Sequence, residues 1–135
     1  MTKESLMSYY FSKSIRSTFS EAVNRVTEAL KREGFGILTE IDVKETLRKK
    51  LDVDFRQYKI LGACNPPFAY KALQAEPKIG TMLPCNVIVQ ELEEGLIEVS
   101  AIDPIASMQA IRNEELGSIA GQVQTKLKNV IENLS

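Results

Sequence analysis

The chemistry this chain can offer centres on two cysteines, Cys64 and Cys85, each followed directly by an asparagine. Cys64-Asn65-Pro66 reads as a turn from strand to helix, and Pro84-Cys85-Asn86 as the start of a strand. A thiol just before a helix N-terminus has its pKa lowered by the helix dipole, so Cys64 is a candidate nucleophile with Cys85 as its resolving partner. That pairing requires Cα atoms about 4.4 to 6.8 Å apart. Two thiolates also suit a soft metal, but two ligands leave a tetrahedral site half built unless a second subunit supplies the others, and no CxxC is present. No metal is assigned. The remaining use is packing, since cysteine behaves as a small hydrophobe and is often buried.

Asn65, Asn86 and Asp103 stand at element boundaries, where side-chain capping and turn bonding account for them. A second use for Asn65 and Asn86 is to hold a small anion together with the N–H groups of the helix start. Pro66 and Pro67 work against that use, because each removes one N–H donor.

What is missing is as informative. The chain contains no histidine, which removes Ser-His-Asp and Cys-His nucleophile pairs and every His-dependent zinc, non-haem iron or haem site. No GxxxxGK[ST], GxGxxG or HExxH string occurs, so no cofactor is implied. Glu93-Glu94 and Glu114-Glu115 fall in turn and helix-start contexts and read as solvated. Lys44, Arg48, Lys49 and Lys50 form a basic face diluted by Glu40, Asp42, Glu45, Asp52 and Asp54. With a net charge of −1 and a pI near 5.6, nucleic acid is not an expected partner.

These residues are positioned by a chain of 135 residues, 44% apolar and 26% charged, which suits one globular domain over 1–135. The opening MTKESLMSYYFSKS lacks the apolar run of a leader, and no later stretch approaches the roughly 18 apolar residues of a membrane span. A cytoplasmic protein with reduced thiols, away from membranes, is expected.

Leu6 to Phe11 suits a first strand. Thr18 with Glu21 forms a capping box, and Phe19, Val23, Val26 and Leu30 follow at helical spacing to a stop at Gly34, predicting a helix over about 19–33. Ile37, Thr39 and Ile41 predict a strand over 35–41. Asp42 with Glu45 opens a short amphipathic helix whose apolar positions are Val43, Leu47 and Leu51. Gln57 to Ala63 is a third strand. Asn65 as N-cap and Pro66 as first residue start a helix with a stripe of Phe68, Ala69, Ala72 and Leu73.

Glu76-Pro77 ends that helix, and 78–81 reads as a loop. Residues 83–92 and 96–102 make a hairpin around Glu93-Glu94-Gly95. Asp103-Pro104 starts a short helical stretch carrying Met108 and Ile111. A long helix over 114–134 carries Leu116, Ile119, Ala120, Val123, Leu127, Val130, Ile131 and Leu134 on one stripe, with Gly117 and Gly121 read as a tight packing contact.

Four strings occur in order: GFGILTEIDV at 34–43, YKILGACNP at 58–66, LPCNV at 83–87, and Asp103-Pro104. Together they resemble the domain-of-unknown-function 302 family over roughly Tyr9 to Leu134. The resemblance implies an α+β fold of β-α-β(4)-α order, a mainly antiparallel sheet covered by helices, similar to one copy of the TATA-binding-protein-like architecture with added short helices and often assembled as a dimer. It implies no activity.

The reading that follows is a homodimeric small-ligand-binding or interaction module. Its candidate site is Cys64, Asn65, Pro66, Cys85, Asn86 and Asp103. A thiol-dependent redox or detoxification protein using Cys64 and Cys85 is the alternative, and nucleic-acid binding through the basic face is the third.

Overall fold

Alternation of apolar and polar residues gives two strands, β4 (Cys85–Glu93) and β5 (Leu96–Ile102), one dry face each. Cys85, Val87 and Val89 on β4 and Ile97, Val99 and Ala101 on β5 are all buried. Val87 lies opposite Ala101 and Val89 opposite Val99, so the buried set forms one continuous surface. The hairpin closes at Gly95, whose φ of 81° is open to glycine at no steric cost.

The structure is a computed structural model that describes residues 8–135. Around the hairpin lie β1 (Tyr10–Arg16), β2 (Gly36–Asp42) and β3 (Tyr58–Cys64), giving a five-stranded sheet of order β1-β5-β4-β3-β2. Every neighbouring pair is antiparallel.

Helix α1 (Phe19–Arg32) begins where the Thr18 hydroxyl accepts a hydrogen bond from the Glu21 N–H. It buries Ala22, Val26, Ala29 and Leu30. Its C-terminus is a Schellman closure: the Phe35 N–H donates to the Leu30 carbonyl and the Gly34 N–H to that of Lys31. Gly34 supplies the positive φ of 88° this requires. The last helix, α5 (Glu114–Glu132), buries seven residues of its stripe, from Leu116 to Ile131. Both helices share one core with the inner face of the sheet.

Three further helices interleave: α2 (Val43–Leu51), α3 (Pro66–Ala75) and the four-residue α4 (Pro104–Ser107). Set aside, they leave the order β-α-β(4)-α. The α+β class, with its mainly antiparallel sheet covered by helices, is therefore as expected.

Four local expectations are corrected. The first strand is Tyr10–Arg16, not Leu6–Phe11: Leu6 and Met7 lie outside the described residues, and Ser8 and Tyr9 precede the strand. Beyond Tyr10 and Phe11 its sequence, SKSIR, has only Ile15 as a strand-former, and the strand is held by pairing along all seven residues of β5. Residues 77–82 form a 3-10 helix, anchored by the fully buried Ile79, where a loop was expected. Helix α2 forms as predicted and is capped by Asp42, yet none of its residues is buried and Leu51 is exposed. Gly117 and Gly121 make no close contact, since a Cβ at either would meet nothing within 4 Å.

Candidate ligand-binding site

Strands β3 and β4 are interior neighbours, and Ala63 pairs directly with Cys85. Cys64, one residue beyond Ala63, and Cys85 thus stand at the adjoining ends of two central strands. Both thiols are free, Cys64 half-buried and Cys85 buried. Desolvation, with a smaller contribution from neighbouring Cys64, pushes the Cys85 thiol up to about 11. At neutral pH it carries its proton, the reverse of an activated thiolate.

Asn65 occupies the N-cap position of α3, but its side chain does not cap the helix. Pro67 at the second helical position has no N–H to offer, and the Asn65 amide turns the other way. Its Nδ2 donates to the Glu33 carbonyl at 3.2 Å, tying the end of α1 to the start of α3. The residue is 8% exposed. A Cβ on Gly34 would come within 3.1 Å of that Nδ2, so the glycine also makes room for the tie.

Above these residues lies a cavity of about 310 Å³. Ala63, Cys64 and Cys85 form its sheet side. Phe68, Ala69 and Ala72 of α3 form one wall, and Leu116, Ile119, Ala120 and Val123 of α5 the other, with Leu83, Pro84, Pro104 and Met108 closing the ends. No charged side chain lines it. The rim is marked by Leu73 and by Leu38, which stands in a β-bulge between Ile37 and Thr39 and is 66% exposed.

The two walls are fixed relative to each other by Asn113. Its Nδ2 donates to the Ala75 carbonyl at the end of α3 (3.0 Å), and its Oδ1 accepts from the Leu116 N–H at the start of α5 (3.1 Å). One side chain thereby caps one helix and terminates the other.

The six candidate residues separate. Cys64, Asn65 and Cys85 line the cavity. Pro66 is the exposed first residue of α3 and does not. Asp103 caps α4 by accepting from the Ile105 N–H at 3.0 Å, and it also accepts from Gln124 Nε2 at 3.1 Å, binding α4 to α5. Asn86 points to the other face of the sheet. There it lines a separate groove of about 390 Å³ with Tyr9, Tyr10 and Tyr58, on the side that carries Gln90, Glu98 and Ser100. Asn65 and Asn86 therefore do not share an anion site.

The residues not anticipated are the walls. Leu38 and the four α5 side chains carried only an amphipathic signal, which a solid core would produce equally. Among the described residues, no group of three or more Cys, Asp or Glu side chains is placed to hold a metal ion. In the basic face, Lys44 pairs with Asp54 (3.0 Å) and Lys49 with Glu45 (2.9 Å). No helix of the described residues is long and apolar enough to cross a membrane.

A five-stranded antiparallel sheet backed by two long helices, with an apolar cavity at one end, defines a small α+β module. The chain belongs to the family described as Domain of unknown function DUF302, whose model matches residues 11–134. It is similar to the crystal structure of an uncharacterized conserved DUF302 protein from Bacillus stearothermophilus, with a TM-score of 0.86 and 27% identity over 95% of this chain and 99% of that one. Among curated proteins none matches.

Proposed function

We propose that this protein is a small-ligand-binding module whose site is the cavity between α3, α5 and the ends of β3 and β4. The observation that carries this reading is an uncharged void of about 310 Å³ held open between two helices. Its size falls within the roughly 300 to 1,000 Å³ of small-molecule sites, and few polar groups enter it. Burying apolar ligand surface there yields about 25 cal/mol per Å² before the costs of association. The ligand class is a compact, uncharged, mainly apolar molecule, because a charge would enter without a partner.

Native mass spectra of the purified protein, followed by a thermal-shift screen of uncharged metabolites, test this. A retained small molecule or saturable stabilisation supports the reading. Absence of both across a broad screen sinks it.

Two copies are proposed to assemble in solution. Leu38, Ile41, Leu51 and Val53, all exposed, come from one stretch of chain that includes the edge strand β2. A free edge with apolar neighbours is a template for a second chain. Sedimentation velocity at micromolar concentration separates a dimer from a 15.1 kDa monomer.

Thiol redox work at Cys64 and Cys85 is the weaker reading, because Cys85 is held protonated by its own burial. Cytoplasmic residence, with both thiols reduced, accords with the free cysteines and remains part of this proposal.

A further inference from the structure

The face of the sheet turned away from α1 and α5 carries the groove of about 390 Å³, and its two ends differ in chemistry. Tyr58, Gln90 and Glu98 pair in one row across β3, β4 and β5, whereas Tyr10 pairs with Ile102, four residues farther along β5. At about 3.3 Å per residue the two rows stand about 13 Å apart. One end is acidic, since Glu98 alone is charged among the described residues that line the groove. The other is apolar: Tyr9 stands edge-on to Tyr10 with 5.1 Å between ring centroids, and Ile88 and Ile102 lie between the ends.

Glu98 is held in place without being neutralised. Gln90 Nε2 donates to its Oε1 at 3.0 Å, and Gln90 Oε1 accepts from Arg56 Nε at 2.8 Å, so an uncharged amide stands between the carboxylate and the guanidinium. The guanidinium lies over the Phe55 ring, 4.4 Å from its centroid. Among the described residues Glu98 makes no ion pair, and its Oε2 accepts no hydrogen bond. A half-buried carboxylate in this state attracts a cationic donor more strongly than a fully hydrated one does.

We infer that this groove, on the opposite face from the cavity between α3 and α5, binds a free small-molecule amine carried on an apolar body. The protonated amine donates to Glu98, and the chain or ring runs past Ile88 and Ile102 to the tyrosines. Charge complementarity selects the cation: an anionic ligand would meet Glu98 with no basic side chain in the groove to receive it, and an uncharged apolar one would take water from the carboxylate without replacing it. The volume lies at the lower end of the range for small-molecule sites.

The test uses two probes with one body, 4-phenylbutylamine and 4-phenylbutan-1-ol, which exchange ammonium for hydroxyl. Each is titrated into 15N-labelled protein at low salt. The amine binds about tenfold tighter and shifts the Tyr10, Glu98 and Ser100 amides, and its advantage shrinks in about 0.5 M sodium chloride because the ion pair is screened. Equal affinities, a preference for the alcohol, or an advantage indifferent to salt overturns the inference. Amine binding that shifts only Ala69, Ala120 and Val123 places the probe in the cavity and overturns it equally.

Glu98→Gln removes the charge and keeps a carbonyl oxygen for the Gln90 amide. In the folded variant the amine falls to the affinity of the alcohol. Undiminished amine binding there removes Glu98 as the recognising group and overturns the inference, while the proposal for the cavity on the other face is untouched.

Discussion

The Lys13 ammonium, carried on edge strand β1, donates to the carbonyls of Glu132 at 3.1 Å and Leu134 at 2.5 Å, more than a hundred residues away. Lys13 lies opposite the buried Val99, so the pleat turns it toward the helix-covered face. There it meets the C-terminus of α5, whose last turn contains no basic residue of its own. A cation at that end opposes the negative pole of the helix, and the strand lends what the helix lacks.

Lys13→Met keeps the stem and removes the charge, leaving the terminal carbonyls of α5 without this donor. The expected cost is about 1 kcal/mol, read as a lower urea midpoint with unchanged slope. Amide exchange accelerates first in the last turn of α5. Unaltered exchange there, with unaltered stability, removes Lys13 as a cap.

Gly62 on β3 faces Thr39 and Pro84 so closely that a Cβ would overlap the Thr39 hydroxyl and reach Pro84 Cγ at 2.7 Å. Gly62→Ala is therefore destabilising by about 1 to 3 kcal/mol, the usual range for overpacking. Adding Thr39→Ala restores part of the loss by clearing one of the two obstacles. Gly36→Ala on β2, where a Cβ meets nothing within 4 Å, serves as the comparison and shows little change. Chemical denaturation of the four proteins checks all three statements.

Cys85 makes stability fall at high pH. Its thiol titrates near 11 in the folded protein against 9.0 for the free group, with burial as the main cause. Between those values the unfolded chain has released the proton and the native chain has not, so unfolding gains as pH rises. The contribution is intact below about pH 9 and is lost through about pH 11, with a total on the order of 2 to 3 kcal/mol. Tyrosine and lysine titrate in the same window, so the measured quantity is the difference between wild type and Cys85→Ala across pH 8 to 11. A constant difference refutes the assignment.

The helices were legible because their signals are local. Thr18 with Glu21 and Asp42 with Glu45 cap the two helices they were expected to cap, and Gly34 stops α1 within a residue of the predicted end. The β4–β5 hairpin was legible for a similar reason, since a two-residue period and a glycine turn need no distant partner. The β1 strand was misplaced because SKSIR has little strand character of its own; its partners on β5 lie eighty or more residues away.

Sequence alone determined the α+β class, the capped helices, the family resemblance and the exclusion of histidine chemistry, because these follow from residue type and short-range spacing. It also singled out the two Cys-Asn steps. Only the tertiary structure decided what those steps do. The pairing of Ala63 with Cys85 places both cysteines at the ends of two central strands, and the pleat sends Asn86 to the opposite face. The cavity lies between α3 and α5 over the end of the sheet, with Asn113 bonded to both helices. Whether two apolar stripes close into a core or stand apart around a void depends on the distance between elements, which no spacing along the chain encodes.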